Sequence, residues 1–205
     1  MRLSKNKKHQ YLFFSILSLY TIFNGGNSNL SIQINFILIG FLFLYCLKDK
    51  NYNLNFLNFY KNNKISIIFY LIFLLYLVFQ ILPIPIEFLK IFSPEKYKII
   101  SKLNIDTSYS LISFVLSNSF FQILNFTTLL IIIFIIKMLF YTERHTNRFY
   151  LFLSFIGFFS SVTAILFYLY GNPDLFIIKN SYYKDVSTGF FINRTIFAVF
   201  LLFSL

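Results

Sequence analysis

The sequence predicts an all-α, polytopic membrane protein, and three observations carry that prediction. Of its 205 residues 58% are hydrophobic and 22% aromatic, with a mean hydropathy of +0.70. Only 12% are charged, about half the roughly 25% of a soluble domain, and they fall in short blocks between long apolar runs, as in chains that cross a bilayer repeatedly. Those runs lack the strict alternation of a membrane barrel, so backbone groups in lipid must be satisfied within helices, and strands are not expected.

The apolar runs, taken in order, predict five complete transmembrane helices plus a truncated sixth, forming one helical domain over residues 1–205. The first covers 11–23 and follows Arg2, Lys5, Lys7 and Lys8. No small-x-small cleavage site follows it; Asn24-Gly25-Gly26-Asn27 reads as a turn, so it is expected to be an uncleaved helix and not a removed signal. The second covers 30–47 and the third 65–82. Pro83-Ile84-Pro85 ends the third, because proline removes a donor and disfavours helix before it. The fourth and fifth cover 120–141 and 149–170. The sixth, 195–205, is too short to span, where about 20 residues are needed, so the sequence reads as the N-terminal fragment of a longer protein.

Two long segments separate these runs, 83–119 and 171–194. In the first, Ile86, Phe88, Leu89, Ile91 and Phe92 take helical spacing, with Glu87 and Lys90 on the other face, as in a helix lying on a membrane surface. Ser93-Pro94-Glu95 then starts a short basic amphipathic helix, with serine as cap and proline in the first turn. This segment reads either as a surface closing the bundle or as a wall of a site for a lipid-anchored substrate. In the second, Tyr182 and Tyr183 could stack on a sugar or serve as ordinary interfacial aromatics.

The charge distribution sets orientation. Eleven Lys and Arg fall in the N-terminus, the 48–64 loop and the connection between the fourth and fifth helices; seven fall in the two long segments and at Arg194. The positive-inside rule makes the first side cytoplasmic and turns the long segments outward. It also explains the net charge of +11 without nucleic acid, which is excluded as a partner because no aromatic-basic patch sits on a soluble module. The location expected is a bacterial inner membrane, multi-pass, with a cytoplasmic N-terminus and membrane lipids as neighbours.

Little in the chain can carry chemistry alone. Cys46 is the single cysteine, so no intrachain disulfide forms, and one Cys with two well-separated His gives no metal site. No metal and no cofactor are expected. His9 and His145 read as solvated residues of charged cytoplasmic segments, and Glu143, Arg144 and Arg148 as topological charges. Arg194 stands apart. Gly189 before it permits an unusual turn, Asn193 can cap a helix or bind a ligand, and a helix starting near Thr195 aims its positive end at the same place. Together these suit a phosphate or diphosphate; an arginine snorkelling to headgroups would use the same position. The catalytic residues stay unknown.

The run Gly189-Phe190-Phe191-Ile192-Asn193-Arg194-Thr195-Ile196-Phe197-Ala198 resembles the G-x-F-x-N-R-N-x-x-A segment of the O-antigen ligase and O-antigen polymerase family, with Thr195 where the family has a second Asn. Gln80-Ile81-Leu82-Pro83-Ile84-Pro85, with Leu89 and Ser93-Pro94, resembles its Q-x-x-P-x-P…S-P turn, and residues 113–125 its next outward segment. The resemblance covers about residues 71–205. It implies a metal-independent, inverting membrane glycosyltransferase of lipopolysaccharide biosynthesis in the cell envelope. The donor would be an undecaprenyl-diphosphate-linked glycan on the periplasmic side. The acceptor would be lipid A-core in a ligase or a growing glycan in a polymerase. Arg194 would contact the diphosphate, with Asn193 and Gly189 shaping the turn. The family's large periplasmic loop lies C-terminal to this segment, so a chain of 205 residues is expected to be inactive alone. A rival class is a non-catalytic membrane module, such as a transporter half or polysaccharide-assembly subunit, with Arg194 as a lipid anchor. Only Lys137 approaches the core of a helix, which argues against transport.

Overall fold

A computed structural model describes residues 5–23, 28–103, 107–172, 186–187, 189–191 and 194–204. Among these lie nine helices: α1 (Lys5–Ile22), α2 (Asn29–Leu47), α3 (Lys50–Asn62), α4 (Lys64–Phe79), α5 (Ile86–Phe92), α6 (Pro94–Lys102), α7 (Leu116–Leu139), α8 (Glu143–Leu169) and α9 (Arg194–Ser204). Two three-residue strands, β1 (Pro83–Pro85) and β2 (Tyr109–Leu111), pair antiparallel. The all-α expectation holds, apart from this ribbon.

The number of spans is corrected. Among the described residues three helices are long and apolar enough to cross a membrane: α2, α7 and α8. The helix built on the 11–23 run begins at Lys5 and takes Lys7, Lys8, His9 and Gln10 into its first turns, which leaves too little continuous apolar length. The third predicted helix is only the 16 residues of α4, about 24 Å at 1.5 Å per residue, short of the roughly 30 Å hydrocarbon core. It passes as a span only together with α3, from which it is bent by 86°. The sixth, α9, has 11 residues. The count is therefore three, or four if the bent pair is one span, and not five or six.

The fold divides into two compact units, residues 60–129 and the remainder. In the larger one, α1 and α2 pack together and close a core of Phe13, Ile39, Leu42, Cys46, Met138 and Leu139. The buried amide of Gln10 donates to the Leu139 carbonyl at 3.1 Å, so the polar start of α1 is built into the core. Side chains define the helix ends. Ser28 caps α2 by accepting from the Ser31 amide at 3.1 Å. Asp49 accepts from the Asn51 amide at 3.1 Å where α3 begins. Thr142 accepts from the His145 amide at the start of α8, while the Thr146 hydroxyl donates to the carbonyls of Phe140 and Thr142, both at 3.1 Å, and fixes the connection from α7. Farther along α8, small residues admit α9: a Cβ on Gly157 would stand 2.5 Å from the Ser204 Cβ, the close approach that glycine and serine permit between helices.

The smaller unit holds α4, α5, α6, the β-ribbon and residues 116–129 of α7. Helices α5 and α6 fall where the sequence spacing puts them. Pro94 opens α6 as expected, but the Ser93 side chain makes no cap bond. Pro83 and Pro85 have no N–H to donate, which confines β1 to a short ribbon; its register sets Pro83 opposite Leu111 and Pro85 opposite Tyr109. Bonds from the Ile86 amide to the Ser108 carbonyl and from the Ser113 amide to the Gln80 carbonyl extend the closure at both ends. The Tyr70 hydroxyl donates to the Phe126 carbonyl, tying α4 to α7.

Candidate functional site

The candidate site begins at the end of α8. Tyr170 caps the helix, and Gly171 and Asn172 follow at φ +73° and +50°, the left-handed pair that commonly stops a helix. Asn172 is buried, and its side-chain amide donates to the Val186 carbonyl at 3.0 Å. One asparagine thus clamps the two ends of the 173–185 segment together. Its signal in the sequence was the Gly-Asn-Pro run after a long apolar stretch.

Beyond the clamp, Gly189 is buried at φ +56°. A Cβ there would stand 3.0 Å from the Ala164 Cβ and 3.3 Å from both the Ala164 Cα and the Ser160 carbonyl oxygen. Position 189 therefore needs glycine twice over, for its backbone conformation and for its approach to α8. The next two residues act as anchors. Phe190 meets the ring of Phe167 edge-on at 5.7 Å, and Phe191 lies 5.0 Å from Phe200 and 5.5 Å from Phe197. With Ala164 these phenylalanines form their own buried cluster. Residues 192–193 lie outside the described residues, so Asn193 has no assigned geometry here; Tyr182 and Tyr183 lie outside them as well.

Arg194 is the first residue of α9 and is exposed. The chain is thus anchored at Gly189, Phe190 and Phe191, and Arg194, at the head of α9, lies in the open. The charge of Arg194 has the same sign as the helix end that it opens. A helix N-terminus carries about half a positive charge, and a cation beside it costs about what an anion there would gain, roughly 0.3–1 kcal/mol. Its amides are also donors, which a guanidinium cannot accept. Both groups therefore point to the same complement, an anion with several acceptor oxygens.

The other segment that the sequence offered as a site wall handles its cations differently. Lys96 of α6 is half-buried and donates to the carbonyls of Leu111 at 2.6 Å and Ser113 at 2.5 Å, with its ammonium 5.8 Å from the centre of the Phe114 ring. Burial holds its pKa below the ordinary lysine value. Lys98 pairs with Glu95 at 2.9 Å on the surface.

His9 is corrected. It is not a solvated loop residue but a buried one in α1, stacked on Tyr45 at 4.7 Å and edge-on to Tyr52 at 5.3 Å. The i, i+4, i+7 series His9, Phe13, Ile16 was its signal. Among the described residues no three His, Cys, Asp or Glu side chains converge as metal ligands. Compared with known proteins, the chain matches no family model, no curated protein and no solved structure.

Proposed function

We propose that this chain belongs to a membrane glycosyltransferase of the bacterial envelope resembling the O-antigen ligases and polymerases. Its donor is a glycan on undecaprenyl diphosphate, and its acceptor is lipid A-core or a growing glycan. Arg194 grips the carrier diphosphate, with Gly189 and Asn193 shaping the turn that presents it. As the bond from sugar to diphosphate breaks, negative charge builds on the leaving group, and a preorganised guanidinium beside a helix N-terminus stabilises that charge. On this reading the chain sits in the inner membrane with the N-terminus cytoplasmic, as the excess of Lys and Arg on one side suggests, and the Arg194 turn faces the periplasm.

The observation that carries the reading is the exposed Arg194 at the first position of α9, behind a turn pinned by Gly189, Phe190 and Phe191. Three helices long and apolar enough to cross a membrane supply the setting that a lipid-linked donor requires. The test is binding of radiolabelled undecaprenyl-diphosphate glycan to the full chain in proteoliposomes. Losing a charged hydrogen-bonding partner costs about 1.5–3 kcal/mol, so Arg194→Ala weakens binding roughly tenfold to a hundredfold. Arg194→Lys falls between, because a lysine cannot make the bidentate contact. Unchanged binding by Arg194→Ala removes Arg194 from the site and leaves it a lipid anchor in a non-catalytic module.

A further inference from the structure

A second feature lies in the α1–α2 pair, independent of the Arg194 turn. An open cavity of about 820 Å³ runs between the two helices. Its walls are apolar, with Leu12, Ile16 and Leu19 from α1 and Leu38 and Phe41 from α2, and Lys48 stands at the end of the α2 wall. Ser15 also lines it, but its hydroxyl is spent on the Tyr11 carbonyl at 3.0 Å, so the shaft of the groove offers a ligand almost nothing polar.

The two helices run antiparallel. The link from Phe23 to Ser28 spans at most about 18 Å, and His9 near the start of α1 stacks on Tyr45 near the end of α2. The start of α1 and the end of α2 therefore share one end of the groove, and both are basic there. Lys48 is exposed at the α2 C-terminus. Lys8, also exposed, precedes Leu12 by one turn on the face that lines the groove. From Leu38 to Lys48 is ten residues, about 15 Å of helix, or half the roughly 30 Å of a hydrocarbon core. An apolar trench one leaflet deep, with Lys48 lining its mouth and Lys8 one helical turn beyond Leu12, has the dimensions and charge of a phospholipid site.

We infer that the α1–α2 groove binds an anionic bilayer phospholipid, with an acyl chain along the groove and the phosphate headgroup at Lys8 and Lys48. Basic residues at one end of a pocket between helices select anionic over neutral headgroups, and each contributes about fivefold in affinity.

The experiment is native mass spectrometry of the purified full chain in mild detergent, equilibrated with equal phosphatidylglycerol and phosphatidylcholine. One phosphatidylglycerol should be retained per chain in preference to phosphatidylcholine. Lys8→Gln and Lys48→Gln should each lower that retention about fivefold, Lys48→Arg should preserve it, and Lys61→Gln on exposed α3 should leave it unchanged. Ser15→Phe, which fills the shaft, should lower retention of both lipids, with circular dichroism showing that the helices persist. Equal retention of the two lipids overturns the proposal, as does phosphatidylglycerol binding that survives the double Lys8→Gln, Lys48→Gln change or falls equally with Lys61→Gln. A polyprenyl phosphate that binds at the same lysines and is not displaced by phosphatidylglycerol also overturns it, by assigning the groove to a different lipid.

Discussion

Arg194 and Lys96 are both cations in segments whose sequence points outward, yet the backbone around them uses them in opposite ways. Lys96 sits where β2 ends and the carbonyls of Leu111 and Ser113 have no ladder partner; it fills both, and its charge is consumed in holding the ribbon to α6. Arg194 sits where a helix begins, among amide donors that no cation can satisfy. The lesson is that the polarity of the neighbouring backbone decides whether a cation becomes a structural tie or an anion receptor. A lysine among carbonyls finds its acceptors in the backbone, whereas an arginine among helix-end amides must take its acceptor from elsewhere.

The sharpest way to break this contrast is to dislodge the turn that presents Arg194. Gly189→Val forces a β-branched residue to φ +56°, worth about 1–2 kcal/mol of backbone strain, and drives side-chain atoms into Ala164 and Ser160, worth about 1–3 kcal/mol of overpacking. A loss of roughly 4 kcal/mol is expected in urea unfolding of the detergent-solubilised protein, with Gly189→Ala in between. Wild-type stability in Gly189→Val would mean that the close approach to α8 is dispensable.

The next test removes each cation in turn. Lys96→Met keeps a long apolar stem but leaves two carbonyls without their donor. A loss of about 2–3 kcal/mol is expected, in line with hydrogen bonds to charged groups and the cost of unsatisfied acceptors. Arg194→Met should stay within about 0.5 kcal/mol of wild type, as surface changes do. Equal losses from the two substitutions would abolish the distinction between tie and receptor.

How much of this was legible in the sequence depends on the kind of signal. The long apolar runs gave α2, α7 and α8, and apolar spacing with a first-turn proline gave α5 and α6. Helix α3 is hidden in the sequence by asparagines, which are poor helix formers, although Tyr52, Phe56 and Phe59 recur at i, i+4 and i+7 and Tyr52 is buried. The β-ribbon left no local trace: Pro-x-Pro is a helix stop in any context, and its pairing with Tyr109–Leu111 arises from chain closure alone. Run length alone overstates the number of spans, because the fold draws polar residues into α1 and bends the chain by 86° at the head of α4. At the candidate site, the need for glycine at 189 was readable, but the clamp at Asn172 depends on Val186 fourteen residues away.

That clamp sets a smaller effect. Asn172→Ala removes the bond to the Val186 carbonyl and places alanine at φ +50°, for about 1–2 kcal/mol together. Asn172→Gly restores the backbone freedom but not the bond, so it should recover part of the loss. Limited proteolysis within 173–185 reads the result, with cleavage fastest in Asn172→Ala. Equal cleavage in all three proteins would show that the clamp does not hold the ends of the segment.

The smallest effect is one of pH, and its sign separates the two cations most finely. Burial lowers the Lys96 pKa in the folded protein below its ordinary value of 10.5. Between the lowered value and 10.5 the unfolded chain therefore binds more protons at this residue than the folded one, and stability must rise with pH across that window. The neutral amine still has two hydrogens for the carbonyls of Leu111 and Ser113, so the tie survives deprotonation while the cost of burying charge disappears. The difference in unfolding free energy between wild type and Lys96→Met should accordingly widen in favour of the wild type as pH climbs toward 10.5. The difference between wild type and Arg194→Met should stay flat, because arginine keeps its charge throughout. A Lys96 difference that narrows over the same range would mean that the charge, and not the pair of donated hydrogen bonds, holds the ribbon to α6.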